Sequence, residues 1–433
     1  MKTLIVTVLT LFPVISFSQT SWYNQNSGTT AILQDVFFVD QDYGWIAGAH
    51  IILHTTDGGN TWVEQPAPPV QIYYVDIFFI DRMNGWACGN EAKIIHTTDG
   101  GNTWVEQANP YTFPNPILYS IYFANSDTGW AFGGDHGNYP TFTNHRVILY
   151  TTNGGNTWDF QYNIHDEKPL FAAHFISSTE AFSAAEWGDI IYTSNGGNSW
   201  LAKTPISSYE LFGIYFANST TGWVSGEYLG VPHYASISKT TDGGNSWNKE
   251  AFGTDEYLTD IYFVDEMMGW AVGGTIGGSG TSTILHTTDG GENWSMQSSP
   301  TSSTLYGLSF SDINNGWAVG FDGTVVAYTI PVDAEPEQTS TDNYLLSQNY
   351  PNPFNPSTTI EYSIPERTDV KLTVINIVGE EVAELVNQTM DAGNYSVVFD
   401  SHSGKVRNLP SGVYFYTLQA GNFKTIKKMI LLK

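Results

Sequence analysis

The chain has 433 residues, 41% hydrophobic and 15% aromatic, which is enough for packed cores in more than one domain. Charged residues make up only 14%, and the formal net charge of −27 disfavours nucleic acid as a partner. Stretches rich in Leu, Ala, Glu and Lys are missing while Gly, Asn, Ser and Thr abound, so strands and tight turns are expected in place of helices.

The chain opens with MKTLIVTVLTLFPVISFS, in which Lys2 precedes an apolar run from Leu4 to Phe12 and Ser16 and Ser18 occupy the minus-three and minus-one positions of a cleavage site. Residues 1–18 therefore read as a secretory signal peptide cut before Gln19. No cysteine stands directly after the cut, so a lipid anchor is not expected, and no later segment approaches the roughly 20 apolar residues of a spanning helix. The single cysteine, Cys88, leaves stability to packing and not to disulfides.

Residues 19–330 carry an internal repeat. HTTDGGNTW occurs at residues 54–62 and again at 96–104, and related copies end at Trp158, Trp200, Trp247 and Trp294. The spacings of 42, 54, 42, 47 and 47 residues define a repeat architecture. A second motif, Gly-Trp followed by small residues, stands at Trp45, Trp86, Trp130, Trp223, Trp270 and Trp317, with Ala181-Phe182 in a degenerate fourth unit, which makes seven units. Each unit reads as four short strands separated by Gly, Asn and Asp clusters, the pattern of a propeller blade. The last unit lacks a fourth strand, and SWYNQ at residues 21–25 matches TWVEQ at 103–107. The expected fold is thus all-β, a seven-bladed β-propeller whose N-terminal strand closes the last blade.

The repeated nonapeptide has an architectural use. Its acidic residue can accept hydrogen bonds from its own turn, its glycines allow positive φ, and its tryptophan packs between sheets. Asp57, Asp99, Asp242 and Asp289 are replaced by Asn153 and Asn195 in the other copies, and Asn can cap a turn but cannot act as a general base. These residues resemble the Asp box, S/T-x-D-x-G-x-T-W, of sialidase-type (BNR-like) propellers. With the GWAxG motif they look most like the repeat of the photosystem II assembly and stability factor family. That resemblance covers roughly residues 19–330 and implies a scaffold or assembly role, not photosynthesis.

The loops between second and third strands, and those between units, share the face opposite the box turns and hold most of the length variation. Candidate ligand-binding residues there are Tyr111, Phe113, Tyr139, His165, Asp166, Glu167, Tyr209, Glu210, Tyr228, His233, Tyr234, Glu256 and Tyr257. Exposed aromatics beside carboxylates suit sugar stacking or a protein interface. The propeller region has only Arg82 and Arg146 as arginines, which argues against the arginine cluster of a sialidase. Glu167, Glu186, Glu210 and Glu256 are candidates for a glycosidase pair, but nothing in the sequence pairs them, and no catalytic residue is assigned. His54, His96 and His286 occupy one repeated position before the box, and no histidine shows metal-site spacing; no metal and no cofactor are expected.

Residues 331–344 are polar and acidic and read as a linker. Residues 345–433 contain six further short strands and suit an immunoglobulin-like β-sandwich. There NYPNPFNPSTTI, VINIVGEEV, LPSGVYFYTLQAG and KKMILLK resemble the type A C-terminal sorting domain of the type IX secretion system. The resemblance implies export through the periplasm, partnership of this domain with the secretion machinery, and a mature protein that is secreted or held at the outer cell surface. Residues 21–330 hold 31 Asp plus Glu against 7 Lys plus Arg, whereas residues 345–433 hold 8 of each, so the acidity lies in the propeller. The expected function is non-catalytic binding or scaffolding outside the cell, with a glycan or a protein as ligand. The alternatives are a polysaccharide-acting glycoside hydrolase and an assembly factor for another surface protein.

Overall fold

The computed structural model describes residues 21–66, 72–111, 117–135, 145–165, 167–206, 209–228, 234–252, 256–275, 277–278, 280–329, 344–347, 349, 354, 357–376, 380–401, 409–410, 412–421 and 423–431. The expected signal peptide and nearly all of the expected linker lie outside these residues. The described residues fall into two compact units, one ending at Thr329 and one beginning at Tyr344. Apart from two three-residue 3-10 turns, all their regular structure is strand.

The first unit contains seven four-stranded antiparallel sheets. One of them, with strands Tyr74–Phe79, Gly85–Gly89, Ile94–Thr97 and Val105–Gln107, shows the common pattern. Its first strand buries Tyr74, Ile77 and Phe79 and alternates only beyond the register shift at Val75, while its second, GWACG, is buried throughout because sheets cover both of its faces. Innermost strands of successive sheets pack on one another, and Leu305–Asp312 of the last packs on Leu33–Phe38 of the first, so the sheets follow one another around a ring. The seventh sheet takes its outer strand from the other end of the sequence: Ser21–Asn26 pairs antiparallel with Thr324–Thr329.

An aromatic sandwich holds the sheets together. In most sheets the phenylalanine ending the first strand lies flat against the Gly-Trp indole of the preceding sheet, as in Trp45–Phe79 (3.6 Å, 10°), Trp86–Phe123 (3.6 Å, 8°), Trp223–Phe263 (3.8 Å, 17°) and Trp317–Phe38 (3.4 Å, 7°), whereas Phe175 is tilted 36° to Trp130 and stacks on Tyr122. The box tryptophan of its own sheet meets the same ring edge-on, at 88° for Phe79–Trp104 and Phe123–Trp158. Each such pair contributes roughly 0.5–1.5 kcal/mol beyond area burial. The motif glycine is dictated by this packing, since a Cβ on Gly85 would stand 2.3 Å from the Phe79 ring. In the degenerate fourth unit Phe182 replaces the indole and stacks on Phe216 at 3.6 Å and 1°.

The box turn works as its residues suggest. Asp57 Oδ1 accepts from the Thr61 amide (2.9 Å) and Oδ2 from the Thr61 hydroxyl (2.7 Å), while Thr55 Oγ1 accepts from the Gly59 amide (2.9 Å). Gly58 and Gly59 have φ of 69° and 83°. Asn153 keeps the pattern, accepting from the Thr157 amide and donating to the Thr157 hydroxyl, both at 2.9 Å; Asn195 does the same with Ser199 at 3.0 Å. The turns also join neighbours: Trp45 Nε1 donates to Gly100 O (3.0 Å), Trp223 Nε1 to Gly290 O (3.1 Å) and Trp317 Nε1 to Gly58 O (3.1 Å).

In the second unit, Leu345–Leu346, Ser357–Ile364 and Gly393–Asp400 form one sheet and Glu381–Met390, Thr368–Ile375, Gly412–Ala420 and Phe423–Leu431 another. They enclose a common core that includes Ile360, Tyr362 and Ile364 from one sheet and Val370, Leu372, Tyr416 and Leu418 from the other. The Tyr416 hydroxyl donates to Ser347 O and accepts from the Asn349 amide, both at 2.7 Å, fixing the segment that leads into the first sheet.

Candidate functional site

Each first strand starts on the loop side and ends in a turn that touches a box, as where the Gly58 amide donates to Asp42 O and the Gly100 amide to Met83 O, both at 2.9 Å. Counted over the six residues that end at each strand's closing phenylalanine, as in Leu33–Phe38, the second, third and fifth positions line a central cavity of 580 Å³. On the loop side an aromatic arc runs through Tyr119, Phe171 and Phe212, all at the second position, to Tyr257, two residues before that position in its own strand, and to Tyr306, again at the second position. Ring centroids are 4.9 Å apart for Tyr119–Phe171 and 5.7 Å for Phe171–Phe212 and Phe212–Tyr257, and Tyr257 is hydrogen-bonded to Tyr306. Gln34, Val75 and Thr259 hold the second position in the remaining sheets and complete the lining at this level. A second belt on the box side includes Phe37, Phe78, Tyr122, His174, Tyr215 and Tyr262.

Between the belts the third position carries Asp35, Asp76, Ser120 and Asp260 among smaller residues, each at a register shift in its strand. The carboxyls bridge neighbouring sheets. Asp76 accepts from Ile77 N (2.8 Å) and from Ile121 N of the next sheet (2.6 Å); Asp260 accepts from Ile261 N (2.7 Å) and from Leu308 N of the next (2.9 Å); Asp35 accepts from Ile77 N (3.1 Å). Burial pushes Asp260 up to about 7 and raises Asp76. Burial, followed by the Asp76 charge and a hydrogen bond to it, holds Asp35 well above the usual range. Burial drives His174 down to about 4, so it adds no positive charge to the cavity at neutral pH.

Beside the arc lies a charged cluster on the loop side of the third and fourth sheets. Arg146 is 3% exposed; its Nη1 pairs with Glu167 and Nη2 with Asp189, at 2.8 and 2.9 Å, and its Nε donates to Lys168 O at 2.9 Å. His145 Nδ1 lies 2.8 Å from Asp135 Oδ1, both side chains buried. Lys168 Nζ is 3.5 Å from Glu186 Oε1, which also accepts from Trp187 Nε1 at 3.0 Å. Trp187 is 60% exposed, and its backbone is left-handed, at φ 66° and ψ 17°. The equivalent short turns in other sheets also use positive φ, but with Glu91 or Asp322.

The expected ligand residues separate accordingly. Tyr257 joins the arc, and Glu167 joins the Arg146 cluster. Glu256 accepts from Thr281 Oγ1 (3.1 Å) and Thr283 Oγ1 (2.7 Å), Tyr228 stacks on Tyr234 at 4.7 Å, and Glu210 faces the buried Glu227 across paired strands. Tyr111 departs from its expected place: it is 4% exposed and packs in a core cluster with Trp158, because Asn109 turns the chain inward through its bond to the Tyr111 amide. Phe113, Tyr139, Asp166 and His233 lie outside the described residues, as do the side chains of His165 and Tyr209.

Apart from Tyr257, sequence reasoning missed the cavity residues, and it missed Trp187, although signals for both were present. Aligning the first strands exposes an aromatic second position and an intermittent acidic third. Of the fourteen tryptophans, thirteen belong to the Gly-Trp motif, the boxes or the matching Trp22; Trp187 is the remaining one, and it alone is exposed.

Comparison with known proteins agrees with this organisation. Residues 348–432 match the Secretion system C-terminal sorting domain, and residues 64–139 match the Photosynthesis system II assembly factor YCF48 family. No curated protein matches in sequence. Among solved structures, YCF48 bound to D1 peptide superposes with a TM-score of 0.56 at 20% identity, covering 71% of this chain and 97% of that one. YCF48 from Cyanidioschyzon merolae gives 0.54 at 19%, covering 71% and 98%. The GH74 xyloglucanase from Xanthomonas campestris gives 0.56 at 11%, covering 86% and 60%. The fold of the first unit is therefore that of a β-propeller. The sorting domain marks the chain for the type IX pathway, to the outer cell surface or beyond. Among the described residues no helix is long and apolar enough to cross a membrane.

Proposed function

We propose that the propeller is a non-catalytic binding scaffold outside the cell, which holds a glycan chain at the loop-side mouth of its central cavity. The observation that carries this reading is the arc from Tyr119 to Tyr306, five half-buried rings around the mouth of a 580 Å³ cavity. Rings so fixed offer apolar faces to a ligand at little entropic cost, with carboxyls and hydroxyls within the cavity as hydrogen-bonding groups. The carboxylates near the mouth are already engaged, Glu167 by Arg146, Glu186 by Lys168 and Trp187, and Glu256 by two threonines, which favours holding a ligand over cleaving it. A protein segment is the second reading, favoured by the likeness in fold to YCF48, solved with a D1 peptide bound.

The test is a glycan array with the mature chain, joined to product analysis on every glycan retained and to capture of surface proteins. Retention without cleavage, weakened about tenfold or more by Phe212→Ala, supports the scaffold. Cleavage of a retained glycan, or retention indifferent to Phe212→Ala and Phe171→Ala, overturns it.

A further inference from the structure

We propose that Trp187 is the floor of a sugar subsite beside the cavity mouth, taking an uncharged hexopyranose ring of a glycan chain. The inference rests on the glycan reading above and adds to it a residue, a location and a charge class.

Trp187 stands apart from every other tryptophan in three independent respects. It belongs to neither repeated motif, it is exposed while the others are buried or half-buried, and its backbone is held in a region that bulky residues avoid. The turn geometry belongs to the repeat, since Glu91 and Asp322 adopt it in their own units; an indole there does not. Neither the core nor the turn asks for this side chain, so the reason for it lies in what approaches from outside.

The ring is also held in place. Its Nε1–H donates to Glu186 Oε1 at 3.0 Å, Glu186 is 9% exposed, and the Lys168 ammonium lies 4.8 Å from the ring centroid. Lys168 is in turn tied to Glu186, and its carbonyl accepts from Arg146 Nε. An exposed indole that merely escaped burial would have no such frame; a platform for a flat ligand face would.

The surroundings select the ligand. The indole is 60% exposed with the Lys168 ammonium over its ring, and Lys168 and its neighbour Arg146 bring Glu186, Asp189 and Glu167 into the same cluster. A pyranose presents an apolar C–H face to an indole and hydroxyls at its rim, which suits a ring floor edged by charged donors and acceptors. The Glu186–Gly188 turn packs on the strand Tyr209–Phe216 that carries Phe212, and the Glu186 charge reaches Tyr119, so the platform adjoins the aromatic arc. Sulfated or uronate-bearing chains are disfavoured, because residues 21–330 carry 31 acidic against 7 basic side chains.

The experiment compares the mature chain with Trp187→Ala, Trp187→Phe and Trp187→Gly on neutral oligosaccharides (xylan, glucan and mannan fragments) and on sulfated and uronate chains. Trp187→Gly suits the positive φ and so separates loss of the ring from damage to the fold. The expected result is binding of a neutral chain, about tenfold or more weaker in the Ala and Gly variants and a few-fold weaker in Phe. Acrylamide quenching supplies a readout that a structural role would not move: the most quenchable indole component, lost in Trp187→Phe, should be protected when wild type binds sugar. Equal affinity in wild type and Trp187→Gly, preference for anionic chains, or no neutral chain bound at all overturns the proposal. A protein partner lost with Phe212→Ala but kept by Trp187→Gly would sink the sugar subsite while leaving the scaffold reading standing.

Discussion

The box turns and the central cavity place the same chemical group under opposite conditions. Asp57 sits in water with its oxygens taken up by the Thr61 hydroxyl and amide, which hold it below the ordinary carboxylate range. Asp260 is enclosed, accepts two backbone amides from different sheets, and is nevertheless pushed up to about 7 because burial outweighs those bonds. The box needs oxygen geometry more than charge, since Asn153 and Asn195 serve there. The cavity position tolerates Ser120, Ala172 and Gly213 in other sheets, so its three carboxyls belong to this chain's cavity and not to the repeat.

If the stacks hold the ring and the carboxyls tune it, the largest effect comes from neither carboxyl set. Trp86→Ala removes an indole that is fully buried, stacked on Phe123 at 3.6 Å and bonded to Gly154 O; it should cost about 3–5 kcal/mol in denaturant unfolding. A loss no greater than that of a box variant would break the comparison.

Next is a pH effect peculiar to the cavity. The Asp260 carboxyl has a folded value near 7 against an ordinary 3.8, so between these pH values the folded state keeps a proton that the unfolded state releases. Stability from this group therefore falls as pH rises through that window, by on the order of 4 kcal/mol at most. Asp260→Asn should gain on wild type as pH goes from 4 to 8. His54, His96 and His286 act at the acid end with opposite sign: burial lowers each, so their contribution is lost as pH falls below the ordinary histidine value, in both proteins alike. A wild-type-minus-variant difference that is flat with pH would contradict the cavity assignment.

The smallest effects belong to the box. Asp57→Ala leaves the Thr61 amide and hydroxyl without their acceptor and should cost about 1 kcal/mol, whereas Asp57→Asn should cost only a few tenths, both read from thermal unfolding. Equal losses for Ala and Asn would mean that charge matters in the box after all.

The repeat was legible because two motifs in phase report on contacts that recur from unit to unit: Gly85 is set by the Phe79 ring of its own sheet and Trp86 stacks on Phe123 of the next, so the pair marks each unit. The box was legible because its bonds are local, from Thr55 to Thr61. The cavity was not, because YVDIFFI reads as a plain alternating strand, and nothing within one strand says that its second and third residues converge with six others on an axis. Tyr111 shows the converse error, in which a ring in a variable loop was placed outside by its neighbours and is carried inward by one Asn-anchored turn. The loops that differ most between units are where local pattern has least to say about direction.

The pairing of Ser21–Asn26 with Thr324–Thr329 has a temporal consequence. A ribosome makes the clasp's first half at the outset and its second half only after every intervening sheet, and loop closure across that span is among the slower events in folding. During that interval Trp22, whose indole packs on Phe310 and Tyr328, has no partner, and the outer edge of the last sheet lies bare. A translocating chain therefore carries its own completion check, since a product truncated within the last sheet, before Thr324, keeps the other six sheets and still fails to fasten.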